Sequence, residues 1–253
     1  MNLFSSKSKK FSSGKKTKMR LSADSPFSIK ETYNSIRTKL MFTGKGESCP
    51  TFVVTSSLAG DGKTTTAVSL AVSIASAEQR VLLIDADMRK PSIHRYFNME
   101  YSDGLSEFLA GLTDQPNLRY AEADGVTVLT AGQIPPNPAE LLGSKQFDVL
   151  LEKMRERFDY IIIDTPPVNI VTDATVFASS ITGYVFVVQS GKNQRRDLQD
   201  AIRQIEEMNG NIVGLVLNDP ENKAERHYSY RYNKYYRYGK YKYYGEGSSS
   251  QRK

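Results

Sequence analysis

Apolar residues in this chain fall into short continuous runs separated by stretches of helical spacing. TFVVTS at 51–56, VLLID at 81–85, VTVLTA at 126–131, YIIID at 160–164, YVFVVQ at 184–189 and IVGLVLN at 212–218 are runs of buried-strand length. Between them, residues 62–78 are Ala-rich and proline-free, 138–157 start at a proline suited to a first helical turn, and 195–208 are amphipathic. Short helices are expected across 92–112. Ahead of the first strand, Phe27, Ile29, Tyr33, Ile36 and Leu40 recur at helical spacing over 26–43. Pro26 suits the first turn with Ser25 as its cap, and Gly44 and Gly46 end the helix. Strands rich in β-branched residues and alternating with helices predict an α/β fold, a mostly parallel sheet covered on both faces.

The pattern fails at both ends. Residues 1–24 are rich in Ser and Lys, and 221–253 contain no Val, Ile, Leu or Met, so neither stretch builds a core. The expected organisation is a basic flexible segment over 1–24, one folded domain over 25–220 and a tyrosine-rich flexible tail over 221–253. Charge divides in the same way: residues 1–20 carry +7, 221–253 carry +6 and the body carries −7. Basic ends on an acidic body suit solvated tails or attraction to an anionic surface. The single cysteine, Cys49, excludes an internal disulfide framework and a cysteine-ligated cluster within one chain. No run approaches the roughly 18 apolar residues of a membrane span, and a cytoplasmic location is expected.

Chemistry enters at 57–64. SLAGDGKT follows a strand and opens a helix, matching the phosphate-loop pattern with Ser57 in place of the first glycine. Gly60 and Gly62 let the backbone turn its N–H groups inward, making an anion site with the helix N-terminus. Ala59, Gly60, Asp61, Gly62, Lys63, Thr64 and Thr65 are the candidate nucleotide contacts. Lys63 is expected on the β- and γ-phosphates and the Thr64 hydroxyl on Mg²⁺, which makes ATP and Mg²⁺ the expected cofactors.

Two more strands end in acids. VLLID leads into Asp85, Asp87 and Arg89, and YIIID ends at Asp164. Ligands bind at the carboxyl ends of parallel strands, so these segments should converge with the phosphate loop. Asp164 reads as a Walker B aspartate, and Thr64, Asp85 and Asp164 form the candidate metal set. Lys63, Asp85, Asp87, Asp164 and Arg89 form the candidate catalytic set, with one of Asp85 and Asp87 holding Mg²⁺ and the other taking a proton from an attacking hydroxyl. Their alternation would send them to opposite sides of an extended segment, which the following turn would have to reunite. Thr165 stands where many hydrolytic ATPases place a glutamate, and Leu58 stands where deviant phosphate loops carry a lysine. Both point away from a pure hydrolase and towards transfer to a hydroxyl.

SLAGDGKT, LLIDADMR at 82–89 and IIIDTPP at 161–167, with nine tyrosines between 228 and 244, together resemble the bacterial tyrosine kinases (BY-kinases) of capsule and exopolysaccharide operons. The resemblance implies a P-loop fold and ATP-dependent autophosphorylation in trans. It makes Tyr228, Tyr230, Tyr232, Tyr235, Tyr236, Tyr238, Tyr241, Tyr243 and Tyr244 the acceptors. It also implies a ring-shaped homo-oligomer built through an E-x-x-R-x-x-R helix. Here Glu31 and Arg37 occupy the outer positions and Asn34 replaces the middle arginine. Expected partners are a membrane-spanning polysaccharide co-polymerase-like activator, which would hold the protein at the inner face of the membrane, and a cognate phosphotyrosine phosphatase.

Read by composition alone, the tail also suits single-stranded nucleic acid or a membrane surface. A P-loop ATPase switch that binds through its tail is therefore the alternative. The nucleotide site favours the acceptor reading, so no nucleic-acid partner is expected. His94 and His227 lack metal-ligand spacing and read as surface residues. Asp173 reads as a helix cap, and Asn218 and Asp219 lie where a base would be read.

Overall fold

The computed structural model describes residues 20–218. A seven-stranded sheet forms from β1 (Thr51–Ser56), β2 (Val81–Asp85), β3 (Leu118–Ala121), β4 (Val126–Leu129), β5 (Tyr160–Asp164), β6 (Gly183–Gln189) and β7 (Ile212–Asn218). Its order is β3-β4-β2-β5-β1-β6-β7, parallel throughout except for β3 against β4. The helices are α1 (Phe27–Thr43), α2 (Lys63–Ala75), α3 (Ile93–Tyr96), α4 (Leu105–Leu109), α5 (Pro138–Leu142), α6 (Lys145–Arg155) and α7 (Arg195–Glu207).

Alternate residues of the central strands feed two cores, one on each face of the sheet. Phe52, Val54, Leu83 and Ile162 pack with Leu70 and Ile74 of α2 and Leu40 of α1. Val53, Leu82, Ile84, Ile161 and Phe186 pack with Phe108, Phe147, Leu150 and Ile205. This double coverage is why the strands read as unbroken apolar runs.

Several expectations need correction. Residues 138–157 are two helices, broken at Gly143 and Ser144, where the Gly143 N–H turns back to the Ala139 carbonyl. Strand β3, LRYA, is short, half-polar and antiparallel, so it carries no buried-strand pattern. Ser25 does not cap α1. Its hydroxyl accepts from the Ser22 N–H, and Pro26 itself occupies the cap position. Phe27 is 71% exposed, so the apolar stripe of α1 is seated only from Tyr33 onward. Arg20 and Leu21 lie on the body: Arg20 pairs with Asp124 and the Leu21 N–H donates to Ser69 Oγ.

Cys49 is buried, and burial pushes its thiol up to about 11. At pH 8 that leaves about one thiolate in a thousand, against roughly a quarter for an unperturbed cysteine. Native protein should therefore react with a thiol reagent at least about 100-fold more slowly than urea-unfolded protein. Equal rates would show that Cys49 is accessible.

Candidate functional site

The chain leaves β1 at Ser56, turns through 57–62 and enters α2 at Lys63. Gly60 and Gly62 have φ of +82° and +94°, a region that side-chain-bearing residues rarely enter. A Cβ on Gly62 would lie 2.2 Å from Asn218 Nδ2, so a side chain there would push that amide aside. The curl that the sequence requires of both glycines is present.

The loop is held from the β6 side. Asp61 is fully buried and accepts from Lys192 Nζ at 3.1 Å, Asn193 Nδ2 at 2.7 Å and the Leu58 N–H at 3.3 Å. Asn193 Nδ2 also donates to Ser57 Oγ at 2.6 Å, and Lys192 Nζ to the Ala59 carbonyl. Asn218 Nδ2 donates to the Asp61 carbonyl at 2.9 Å. Asn218 thus braces the loop, and Asp219 lies outside the described residues. Asp61→Ala, which removes an acceptor serving three donors, should raise the KM for ATP about tenfold with a smaller change in kcat. A nucleotide titration on the purified variant checks this, and an unchanged KM would make the network incidental.

From the other side come the acids. Asp85 ends β2 in register with Asp164 at the end of β5, and both are fully buried. Asp85 Oδ2 accepts from the Ser92 and Ile93 N–H groups at 3.0 and 2.9 Å, while its buried Oδ1 has no hydrogen-bond partner among the described residues. Burial, then the charge of Asp164, pushes the Asp85 carboxyl up to about 8. Asp87 Oδ2 receives Lys63 Nζ at 3.2 Å, and Oδ1 the Lys90 N–H at 3.0 Å. Burial works to lower the Lys63 pKa, but Asp164, Asp87 and Asp85 outweigh it, so the ammonium stays charged. The turn after β2 thus brings Asp85 and Asp87 to one lysine.

Arg89 is drawn elsewhere. Its Nε and Nη2 lie 2.9 and 3.0 Å from the fully buried carboxylate of Asp173. Asp173 is therefore an ion-pair partner and makes no capping hydrogen bond. The Thr65 hydroxyl bonds to the Tyr96 hydroxyl at 2.8 Å, fastening α2 to α3. Arg37 donates to Ser73 of the same chain, and Glu31 accepts from Asn34 at 3.0 Å. His94, read as a surface residue, is half-buried and edge-on to Tyr101 at 5.3 Å.

A cleft of about 880 Å³ opens over the loop, lined by Ala59, Gly60, Lys63, Thr64 and Asp87 together with Arg89, Lys90, His94 and Ile170. Asp85 and Asp164 do not line it and are fully buried. Among the described residues no three His, Cys, Asp or Glu side chains are grouped to hold a metal alone. Mg²⁺ asks for less, one or two carboxylates plus phosphate oxygens and water. The unpartnered Asp85 oxygen beside Asp164 fits that donor set.

Sequence reading missed Lys192, Asn193, Tyr96 and the Arg89–Asp173 pair. No local motif marks them. Lys192 and Asn193 meet the loop because β6 lies beside β1, Tyr96 meets α2 because α3 lies beside it, and Arg89 and Asp173 meet across 84 residues of sequence.

A strand, a glycine-curled loop, a helix led by lysine and acids at neighbouring strand ends define a P-loop nucleotide-binding domain. The ParA family, described as NUBPL iron-transfer P-loop NTPase, matches residues 49–232. Tyrosine-protein kinase CpsD of Streptococcus agalactiae is 37% identical over 190 residues, covering 74% of this chain and 82% of CpsD. Tyrosine-protein kinase YwqD of Bacillus subtilis is 36% identical over 203 residues, 80% of this chain and 85% of YwqD. The solved structure of the kinase domain of Escherichia coli tyrosine kinase ETK superimposes with a TM-score of 0.72 at 34% identity, covering 77% of each chain. The chain belongs to the bacterial tyrosine-protein kinases, built on the ParA-type P-loop fold. No helix among the described residues is long and apolar enough to cross a membrane.

Proposed function

We propose that this kinase uses Mg-ATP to phosphorylate the tyrosines of its own segment 228–244, in trans between subunits of a homo-oligomer, and thereby regulates capsular or exopolysaccharide polymerisation and export. The observation that carries the reading is Lys63 held among Asp85, Asp87 and Asp164 over a formed phosphate loop. Such a site transfers a phosphoryl group by positioning and charge neutralisation. Thr64, Asp85 and Asp164 would hold Mg²⁺, the buried carboxylates directly or through water, and the ion would neutralise charge on the β- and γ-phosphate oxygens. Phosphate draws Lys63 away from Asp87, the carboxylate that lines the cleft. Asp87, so released, takes the phenolic proton as the tyrosine oxygen bonds to the γ-phosphorus and the bond to the ADP oxygen breaks.

The relatives support the setting: CpsD and YwqD are named tyrosine-protein kinases. A membrane-spanning co-polymerase-like activator would bring the kinase to the inner face of the membrane, and a phosphotyrosine phosphatase would reset the tail. Glu31 and Arg37 on α1 are the proposed subunit contacts. The acceptor tyrosines lie outside the described residues. Phosphorylating several would add about −1.5 to −2 each and reverse the +6 of residues 221–253, releasing the tail from an acidic body.

The test is to incubate the protein with Mg-ATP, with and without a cytoplasmic peptide of the activator, and to map phosphotyrosine by mass spectrometry. Chain truncated after Asn222 serves as the control. Phosphate on 228–244 supports the reading. Nucleotide turnover with no phosphotyrosine, activator present, would replace it with an ATPase switch.

A further inference from the structure

Strand β7 is the last in the sheet order, and its outer edge is unpaired among the described residues. Its pairing with β6 fixes which face each residue takes. Leu215 lies beside Phe186 and Leu217 beside Val188, so both extend the core to which Phe186, Val188, Leu198 and Ile205 contribute. Yet the two leucines are 56% and 69% exposed. An open edge that carries two exposed leucines on one face is a template for a further strand.

The chain itself supplies one of the right pattern. Asp219, Pro220, Glu221 and Asn222 follow β7 directly, with Asp and then Pro in the order that favours a turn. Beyond them Tyr228, Tyr230 and Tyr232 alternate with Ser229, Arg231 and Asn233, the two-residue period of a strand with one aromatic face. The connection, 219–226, has eight residues, enough to return and short enough to hold the segment beside β7. In an antiparallel return that sets His227 opposite Asn218, Tyr228 faces Leu217 and Tyr230 faces Leu215. Directly opposed residues share a face, so both rings cover leucine. A slip of one residue would lay Ser229 and Arg231 over the leucines instead, so burial selects the register. On the other face a Cβ at Gly214 would meet nothing within 4 Å, which leaves room for Arg231. Charge agrees in sign, +6 on 221–253 against −7 on the body. A second copy could reach this edge only through bimolecular association, whereas segment 227–233 is tethered to it.

We propose that segment 227–233 docks on the open edge of β7 in its own chain as an antiparallel strand, with Tyr228 and Tyr230 covering Leu217 and Leu215. The surface is separate from the nucleotide cleft, which none of residues 212–217 lines. The docking itself does not depend on the kinase reading. On that reading it has a consequence: Tyr228, Tyr230 and Tyr232 are withheld from phosphorylation while docked, and the tyrosines from Tyr235 onward are not.

Hydrogen exchange on the full chain, without nucleotide, tests the docking apart from any kinase activity. Amides in 227–233 should exchange on the order of tenfold more slowly than in a free peptide of that sequence. Truncation after Asn222 should speed exchange along 212–218. Leu215→Ser with Leu217→Ser should remove the protection of 227–233, with Tm measured alongside. Tyr228→Ser with Tyr230→Ser, which leaves β7 intact, should do the same. Oxidising the Leu217→Cys, Tyr228→Cys protein should give a crosslinked monomer, and the Leu217→Cys, Ser229→Cys protein should not. Free-peptide exchange in 227–233, or equal crosslinking by both cysteine pairs, overturns the proposal. A crosslinked dimer gives the edge to a second copy and overturns it as well. With Mg-ATP, Tyr228 and Tyr230 should be labelled up to about tenfold more slowly than Tyr241, in proportion to the docked fraction, and the leucine variant should close the gap. Equal labelling in the wild-type chain would sink that consequence. Protection of 227–233 with no phosphotyrosine anywhere would keep the docking and remove the kinase reading.

Discussion

Lys63→Met should cost at least about 100- to 1,000-fold in tyrosine phosphorylation, the scale of removing one positioned charge from a developing transition state. The loss should appear in kcat as well as in KM, because the ammonium serves the transferring phosphoryl group more than the bound nucleotide. Stability should fall too. In the nucleotide-free chain Lys63 is the cation whose charge answers Asp87, Asp85 and Asp164. Removing one member of a buried charged group leaves the others uncompensated, at about 2–4 kcal/mol, or roughly 4–15 °C in Tm for a domain of this size. The deficit should be largest at pH 8 and shrink as acid protonates the stranded carboxylates. Parallel activity and calorimetry measurements decide this. An unchanged Tm at pH 8 would mean the three acids do not depend on the lysine.

Asp85→Asn should separate stability from catalysis. Asparagine can still accept the Ser92 and Ile93 N–H groups, and its amide can stand where the unpartnered Oδ1 lies beside Asp164. Chelator-treated variant should therefore be more stable than wild type at pH 8, on the order of 1–3 kcal/mol. Activity should drop about 100-fold or more, because the proposed Mg²⁺ set loses a charge. The pH dependence has a definite sign. Wild-type Asp85 keeps its proton up to about 8, whereas in the unfolded chain it releases it near the ordinary carboxylate value. The folded state binds the extra proton in between, so this group's contribution to stability falls as pH rises from about 4 to 8. The variant should lack that decline. Denaturant titrations in chelator across this range test it, and a variant with the wild-type slope would exclude Asp85 as its source.

Much of the architecture was legible because its signals are local. Six strands announce themselves as apolar runs; burial on both faces removes the alternation from the central ones, whereas edge strand β7 is apolar although Leu215 and Leu217 are exposed. The loop around Gly60 and Gly62 and the acids at 85, 87 and 164 follow from strand–loop–helix grammar. What escaped depends on neighbours distant in sequence. Strand β3 exists because β4 offers it an edge, not because LRYA favours a strand strongly. The break at Gly143 is set by a close turn that helix propensity across 138–157 outweighs on paper. Lys192 and Asn193 reach Asp61 only because β6 lies next to β1, a fact of strand order absent from any local window. Asp173 looked like a cap because Ser, Thr and Asp before short helices usually are; its partner, Arg89, lies 84 residues away.

The bond from Asn218 to the Asp61 carbonyl has a kinetic side. Asn218 ends the last strand, and the chain that carries the tyrosines sets out from that point. Tyr228 is ten residues further on, within about 36 Å at full extension, and Tyr244 within about 90 Å. On the proposed function the substrate is moored at the rim of the phosphate loop, and its encounter with a catalytic cleft would be governed by tether length rather than by free diffusion. Dilution would then slow phosphorylation of the proposed acceptors only as far as it dissolves the proposed oligomer, and a free peptide would need to match the tether's effective concentration before it could compete.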